Sequence, residues 1–248
     1  MAPPTLPTSP SLTLTPEPLT RDSFAPFGCA IIPPLPRTTT KPPNPLSSHP
    51  KHDLVPSPVS ANQGSALKYS PISPLSDNYA SWKCPSGQPS EARMSMFSCF
   101  PRQLRSLKDG KRVFDVGILE RHPYTTQTFS PLGLTPDNAS ETIYLVIVAP
   151  SLTNQTSTAK TDNGKIVSIH NPPDLAKLKA FVARGDQAVT YGAGTWHAPM
   201  VVLGKQRVDF VVSQFVNGVS DEDVQEVGFS EGVVVELGLD KGEGRAKL

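Results

Sequence analysis

Proline is concentrated at one end of this chain, and its uneven distribution most limits what the chain can fold into. Sixteen of the 28 prolines lie within residues 1–60 of a 248-residue sequence. Each proline fixes φ and lacks the backbone N–H that a sheet needs. We therefore interpret residues 1–14 as a proline-rich leader and residues of about 33–60 as an inserted surface loop, attached to a body of ordinary proline content.

The body of the chain, residues 15–240, has the pattern of a single mainly β domain. Short runs rich in Val, Ile, Phe and Tyr alternate with Gly, Pro and Asn turns, which predicts an antiparallel barrel or sandwich. The predicted strands cover residues 94–100, 113–120, 143–148, 188–191, 200–203, 208–215 and 233–237. We predict a second inserted loop at 151–163 and a flexible tail at 241–248.

Helical periodicity is weak outside two short segments. Apolar residues spaced three and four apart predict a helix over 174–182, and residues 20–28 allow one helical turn. The sequence contains neither GxGxxG nor GxxxxGK[ST] and shows no βαβ alternation, which disfavours a nucleotide-binding parallel sheet.

Charge and cysteine content exclude several classes of partner. The 23 Lys and Arg nearly balance the 22 Asp and Glu and are scattered, which gives no support for a nucleic-acid or acidic-membrane partner. The longest apolar runs fall far short of the roughly 20 residues that span a bilayer. Three cysteines without a CxxC pair predict free thiols rather than a disulfide framework or a zinc knuckle.

The first candidate chemical group is a Glu and a His two residues apart. If the strand that begins near Val113 continues, its period of two places Glu120 and His122 on one face, with Arg121 on the other. The next residue, a proline, must end regular pairing, and Gln127 can then return on the following strand towards the same cavity. A surface ion pair at the end of a strand is the alternative.

The second candidate group follows a glycine-rich turn. Gly192 and Gly194 permit a tight turn, after which Trp196 and His197 open a strand. A histidine in this position is either presented by a rigid scaffold to a pocket or bonded to a backbone carbonyl in the core.

The two groups together resemble the paired motifs of a cupin barrel. In the first motif, Glu120 stands where a cupin has its first histidine, and Gln127 stands where it has its usual acid; His122 and Gly133 match. In the second, His197 matches. Two His, one Glu and one Gln can hold a divalent metal more weakly than three His and a Glu, or they can form a metal-free acid/base site.

A closer resemblance joins these motifs to one family. Residues 119–132 and 190–199 look like the two signature segments of the ureidoglycolate lyase family, also called ureidoglycolate hydrolase. Further matches lie at residues 24–28, 62–69, 209–214 and 217–218. The matches run in order from about residue 15 to 226, and the insertions resemble those of a fungal-type member.

The resemblance implies an enzyme of allantoin and purine catabolism that splits ureidoglycolate into glyoxylate and urea. It also implies a cupin-like, double-stranded β-helix fold with a few short helices and a homodimer. A divalent metal such as nickel is associated with the family; the alternative is that no cofactor is required. The positions that match the family's polar pocket are Glu120, His122, Gln127 and His197, with substrate-binding candidates Lys68, Tyr69, Phe129, Tyr191 and Trp196.

The reaction needs a base for the carbinol hydroxyl, an acid for the departing urea nitrogen and a cation for the substrate carboxylate. We predict Glu120 as the base, on the expectation that burial raises its pKa, and His197 as the acid; the roles can be reversed. Lys68, or an arginine such as Arg121 or Arg93, is predicted to pair with the carboxylate.

Three alternatives remain open from the sequence. An amidohydrolase would release ammonia and carbon dioxide from the same substrate, and a non-catalytic cupin would only bind glyoxylate or a related 2-oxo acid. Glu120 argues against the binding protein, because an anion pocket gains nothing from a buried carboxylate. A cupin dioxygenase is disfavoured, because Glu and Gln replace two expected ligands.

The last three residues, Ala246-Lys247-Leu248, differ at one position from the Ser-Lys-Leu peroxisomal signal. We therefore predict peroxisomal import, with the cytoplasm as the alternative location.

Overall fold

The structure, a computed structural model, describes residues 2–7, 11–43, 55–134 and 142–238. Within these ranges strands far outnumber helices. The strands are β1 (Thr5–Leu6), β2 (Leu12–Leu14), β3 (Glu17–Pro18), β4 (Gly28–Ile31), β5 (Val59–Ala61), β6 (Ala66–Lys68), β7 (Glu91–Cys99), β8 (Arg105–Ser106), β9 (Arg112–Asp115), β10 (Ile118–Arg121), β11 (Gln127–Leu132), β12 (Thr142–Ala149), β13 (Thr156–Lys160), β14 (Ile166–His170), β15 (Lys179–Ala183), β16 (Ala188–Tyr191), β17 (Trp196–His197), β18 (Val201–Gly204), β19 (Val208–Val216), β20 (Gln225–Phe229) and β21 (Val233–Leu237). The helices are α1 (Arg21–Phe24) and α2 (Ser220–Asp223), with 3-10 turns at Asn62–Gly64 and Leu175–Lys177.

The strands form three larger sheets and one hairpin. A ten-stranded sheet has the order β14-β13-β1-β20-β10-β17-β12-β15-β3, with β18 also paired to β12. A five-stranded sheet has the order β4-β16-β11-β19-β7, a four-stranded sheet has the order β2-β21-β9-β8, and β5 pairs with β6. The predicted mainly β, antiparallel class is confirmed; the ladders among the described residues leave the sheets open, without closure into a barrel.

The ten-stranded sheet lies between two apolar cores. Every residue of its central strand β12 is buried, and successive side chains enter opposite cores: Leu145 and Ile147 one, Tyr144 and Val146 the other. The first core also takes residues of the four-stranded sheet, such as Val235. The second takes residues of the five-stranded sheet, and the candidate site lies on this side.

The helix predicted over 174–182 is wrong. Asp174 caps a single 3-10 turn, and the chain then enters strand β15, in which Ala180 and Val182 face one core and Phe181 and Ala183 the other. A short apolar run buried on both sides has no helix-specific period, so spacing alone misassigned it.

One predicted loop and one predicted strand also differ from the structure in detail. The segment 151–163, predicted as a polar loop, contains β13, which pairs with β14 over five residues. The strand predicted over 113–120 is two strands in different sheets, β9 and β10, separated at Val116 and Gly117. The part of the proline-rich loop at 44–54 and the tail at 241–248 lie outside the described residues.

The described residues of the leader contribute strands of their own. Thr5 pairs with Gly228 of β20 and with Lys160 of β13, and Leu6 is buried. Strand β2 runs parallel to β21. No described helix has the length and apolar composition that crossing a membrane would require.

Candidate active site

Three side chains, two on paired strands and one directly after them, meet on the face of the ten-stranded sheet that points towards the five-stranded sheet. Glu120 of β10 is the direct register partner of His197 of β17, and its Oε1 lies 3.4 Å from Nε2 of His197. His122 follows β10 directly. One nitrogen or oxygen atom from each of the three lies within 4.8 Å of the others. The structure thus brings together Glu120, His122 and His197, three of the four positions that the family resemblance assigned to one polar pocket.

The backbone around this trio is held by a tight turn. Gly194 has φ +78°, a conformation that favours glycine, and its N–H donates to the carbonyl oxygen of His122 at 2.8 Å. Thr195 N–H donates to Gly192 at 3.0 Å and closes the turn. The glycine turn before His197 is therefore bonded directly to the end of the strand that carries Glu120.

The hydrogen bonds of the two histidines determine which ring nitrogen carries hydrogen. Nδ1 of His122 lies 2.6 Å from the carbonyl oxygen of Asp223, and Nδ1 of His197 lies 3.0 Å from that of Thr195. A carbonyl oxygen only accepts, so Nδ1 is the donor in both rings. In the neutral rings, Nε2 then carries a lone pair and can only accept. Neither Nε2 has a hydrogen-bond partner among the described residues. Two imidazole acceptors and a carboxylate thus face one another.

The electrostatics of the trio differ from the expectation for Glu120. Burial alone would raise the pKa of the Glu120 carboxyl, but the close approach and attraction of His197, 3.4 Å away, with a smaller contribution from His122, lower it below its ordinary value. The predicted upward shift is wrong, because the neighbours that favour the carboxylate come from separate parts of the chain. Burial and the neighbouring His197 lower the pKa of His122 to about 4. At neutral pH, Glu120 is ionised and His122 is neutral.

The opposite side of the site is formed by the five-stranded sheet. The ring of Tyr191 stacks on His197, with centroids 3.9 Å apart and planes 8° from parallel. Gln127 is the register partner of Tyr191, and its Nε2 donates to Oε1 of Gln214 on β19. Oε1 of Gln127 is buried without a partner among the described residues, so it is available to a ligand. Phe129 packs against Tyr191 at 6.0 Å and is a core residue.

A short helix supports His122 from behind. The Asp223 carbonyl that accepts from His122 belongs to α2, and the Asp223 carboxylate accepts from Tyr79 Oη at 2.7 Å and from the backbone N–H groups of Asn217 and Gly218 at 2.8 and 2.9 Å. These bonds fix the position of α2 and, through it, the orientation of the His122 ring.

Arg121 and Trp196 lie on the other face of the same strands. The Arg121 guanidinium lies over the Trp196 ring, 4.8 Å from its centroid, and Trp196 Nε1 donates to the carbonyl oxygen of Asn171. Arg121 makes five hydrogen bonds to neutral acceptors, which come from His170, Asn171, Ser151 and Gln225. Both side chains therefore have packing roles away from the trio, and Trp196 is not placed to contact a substrate there.

The other predicted binding residues lie outside this cluster. Lys68 is exposed at the end of β6, opposite Val59 in a separate hairpin. Tyr69 lines a different cavity of about 380 Å³, together with Ile31 and Asp186.

Sequence reasoning missed two residues of the site's surroundings. Gln214 interrupts an inward-facing series of Phe210 and Val212 with a polar side chain, and this break in alternation was a usable signal. Asp223 stands in an acidic segment, where nothing in the sequence distinguishes it from its neighbours.

The trio fits a divalent metal. Its donor set is two imidazole nitrogens and a carboxylate oxygen, and the Nδ1–H to carbonyl bonds present both Nε2 lone pairs inwards, as in protein metal sites. The buried, unpartnered Nε2 of His122 is the observation that favours this. The group could therefore bind a metal, whose identity the residues do not define.

Comparison with known proteins gives one consistent family. The family profile for ureidoglycolate lyase matches residues 11–236. The ureidoglycolate lyase of Schizosaccharomyces pombe is 34% identical over 207 residues, which cover 84% of this chain and 86% of the relative. That of Saccharomyces cerevisiae is 39% identical over 163 residues, covering 61% and 67%. A bacterial ureidoglycolate lyase, from Pseudomonas syringae pv. tomato, is 28% identical over 200 residues, covering 81% of each chain.

The match spans most of the body and includes both strands that carry the trio. The two fungal relatives are more similar to the chain than this bacterial one, which agrees with a fungal-type member. The resemblance found in the motifs is confirmed, and the chain belongs to the ureidoglycolate lyase family.

Proposed function

We propose that this chain is a carbon–nitrogen lyase that cleaves ureidoglycolate to glyoxylate and urea. The observation that carries the proposal is the buried trio of Glu120, His122 and His197 inside a chain matched over residues 11–236 by the family. An ionised carboxylate beside two imidazoles supplies proton-transfer groups without a nucleophile or a redox centre. This agrees with an elimination that needs neither.

The reaction moves two protons and breaks one bond. Glu120 accepts the proton of the carbinol hydroxyl, the C–N bond to the ureido nitrogen breaks as the C=O of glyoxylate forms, and an acid returns a proton to that nitrogen to give urea. His197 is the acid: its Nε2 lies 3.4 Å from Glu120 Oε1, and in the protonated ring this nitrogen carries the proton that passes to the ureido nitrogen. Glu120 and His197 thus form one proton-transfer pair.

Binding of a divalent ion, nickel or a similar metal, is an alternative role for the same residues. Glu120, His122 and His197 would hold it, and the buried, unpartnered Oε1 of Gln127, the register partner of Tyr191, is a further candidate acceptor. When bound, such an ion stabilises negative charge that develops on a substrate oxygen. Three facing acceptors favour a cation between them, which is either this ion or the proton on His197.

The metal proposal is tested on the purified protein. After dialysis against a chelator, metal content is measured by mass spectrometry and turnover is measured before and after nickel, zinc or manganese is restored. Loss of turnover that one ion restores supports a metal enzyme; full turnover of metal-free protein assigns the trio to proton transfer alone.

An amidohydrolase acting on the same substrate differs in its products, ammonia and carbon dioxide in place of urea. The deciding experiment measures urea and ammonia in the first turnovers of purified protein with ureidoglycolate. We expect urea and glyoxylate in equal amounts without ammonia. A ligand-induced rise in melting temperature without turnover would support the non-catalytic glyoxylate-binding protein and overturn the lyase.

We also propose a cellular location and an oligomeric state. Ala246–Leu248 would act as a peroxisomal signal, tested by whether its deletion releases a tagged protein into the cytoplasm. The homodimer implied by the family resemblance is tested by sedimentation equilibrium, where a monomer mass at micromolar concentration would contradict it.

A further inference from the structure

The substrate's own charge requires a group that the trio does not contain. Ureidoglycolate carries a carboxylate, and Glu120 contributes a second negative charge to the same pocket. An anion entering a site with a carboxylate needs a cation to hold it, and arginine binds carboxylates in a two-pronged geometry. If the chain acts on ureidoglycolate as proposed, one of its basic residues must supply this cation.

Two of the three candidate cations from the sequence, Arg121 and Lys68, lie away from the trio. The five hydrogen bonds of Arg121 go to neutral acceptors on the far face of β10, so its N–H groups are engaged on the side opposite the trio. Lys68 lies in the separate β5–β6 hairpin. Arg93 of β7 is the third.

Strand register places Arg93 in a row that leads to the trio. Tyr191 pairs with Gln127, the Gln127 amide is bonded to Gln214, and Gln214 pairs with Arg93. Directly paired residues project from the same face of a sheet. The row therefore runs from Arg93 across β19 and β11 to Tyr191, whose ring lies on His197.

The packing of β7 confirms which face points inwards. Phe97, four residues after Arg93 on the same strand, packs its ring on Phe129 with centroids 5.6 Å apart. Side chains two and four residues apart on a strand share a face. Arg93 thus projects on the side of the five-stranded sheet that carries Tyr191 and Gln127.

We propose that Arg93 is the substrate-binding residue that holds the carboxylate of ureidoglycolate. Three strand spacings separate Arg93 from Tyr191, about 14 Å between Cα atoms, and the long arginine side chain and the substrate together fill this span. The Arg93 side chain is 51% exposed and its guanidinium rests on Glu91. An exposed ion pair of this kind is weak, so the guanidinium can exchange Glu91 for a substrate carboxylate.

The test compares two arginines of similar setting. Arg207 pairs with Asp209 two residues away and is 54% exposed, like Arg93 with Glu91, but its partner lies on the opposite face of β19 from Gln214. We expect Arg93→Gln to raise KM for ureidoglycolate about 10- to 100-fold, as for loss of a charge-assisted hydrogen bond, with kcat nearly unchanged. The inhibition constant of the product glyoxylate should rise by the same factor. Arg207→Gln should leave both constants at wild-type values.

Two more variants separate charge from geometry. Arg93→Lys keeps the charge but loses the two-pronged contact, so its KM should fall between wild type and Arg93→Gln. Glu91→Gln removes the competing carboxylate and should lower KM. If Arg93→Gln and Arg207→Gln share the wild-type KM and glyoxylate inhibition, Arg93 does not bind the carboxylate, while urea release by wild type still upholds the lyase. If wild type releases no urea from ureidoglycolate, the lyase assignment fails first, and the Arg93 proposal falls with it.

Discussion

The two faces of β10 carry buried polar groups that are satisfied to very different degrees. On one face, each of the five hydrogen bonds of Arg121 ends on a neutral acceptor, and its ring neighbour Trp196 also has its N–H bonded. On the other face, the Nε2 atoms of His122 and His197 are buried without a hydrogen-bond partner among the described residues. Arg121, with all its bonds made, and His122, with a free acceptor, are adjacent in the sequence.

The contrast shows how to distinguish structural from functional polar groups. A buried group with every donor and acceptor used stabilises one conformation and offers nothing to a ligand. Acceptors that converge without donors leave a defined need for a cation, which a proton, a metal or a substrate can meet. Charge alone would have selected Arg121, whereas hydrogen-bond satisfaction selects the trio.

The largest effect is expected on the unsatisfied face. Glu120→Gln and His197→Ala should each lower kcat by about 10²–10⁴-fold, the usual contribution of a general base or acid. The circular dichroism spectrum should be unchanged. Glu236→Gln, the same substitution in the remote β21, is the control and should keep wild-type turnover. Near wild-type kcat in both site variants would remove these residues from the mechanism.

On the satisfied face, the effect should be on stability. Arg121→Met leaves several buried acceptors unpaired, and we expect the free energy of unfolding to fall by about 3–5 kcal/mol. Arg105→Met removes a half-exposed, solvent-screened ion pair with Asp115 and should lower the free energy of unfolding far less. Urea denaturation measures both. Equal losses would mean that the Arg121 network contributes no more than a surface pair.

Protonation of His122 should couple stability to pH. Its pKa is about 4 when folded against 6.5 for the free side chain, so between these values the unfolded chain binds more protons. The free energy of unfolding should therefore be highest above pH 6.5. It should fall by an amount on the order of 3 kcal/mol as the pH drops to about 4, because His122 must then take up a proton in a buried position. Urea denaturation across this range should show a shallower pH dependence for His122→Asn. His170→Asn, on exposed β14, is the control; equal slopes for both variants would contradict the shift.

The smallest effect is expected at the support behind His122. Tyr79→Phe removes one of three donors to the Asp223 carboxylate, which should lower the free energy of unfolding by about 1 kcal/mol. The remaining backbone donors keep α2 in place, so kcat should change little. A large loss of kcat would instead assign Tyr79 a direct part in orienting His122.

The local part of the site was predictable from the sequence. Period-two alternation placed Glu120 and His122 together, and the glycine turn placed His197 at the start of a strand. Both signals are short-range, because backbone geometry alone sets them. The strand boundaries at β16 and β21 also agreed with the residue pattern.

What the sequence did not reveal depends on distant pairing. The lowered pKa of Glu120 comes from His197, which is 77 positions away and becomes a neighbour only through the register of β10 and β17. The support from Asp223 likewise arises from a helix of four residues with no distinguishing pattern. Strand β15 was misassigned because burial on both sides removes the alternation that identifies a strand.

The pairing of β2 with β21 has a consequence for how the molecule is made. Leu12 is the register partner of Val233, 221 residues later, and Thr5 pairs with Gly228. Contacts between such distant segments slow folding, since a long loop must close before they form. A ribosome-bound chain therefore holds β1 and β2 unpaired until the segment that contains β20 and β21 has emerged, and during that interval these strand edges are exposed to chaperones and to self-association.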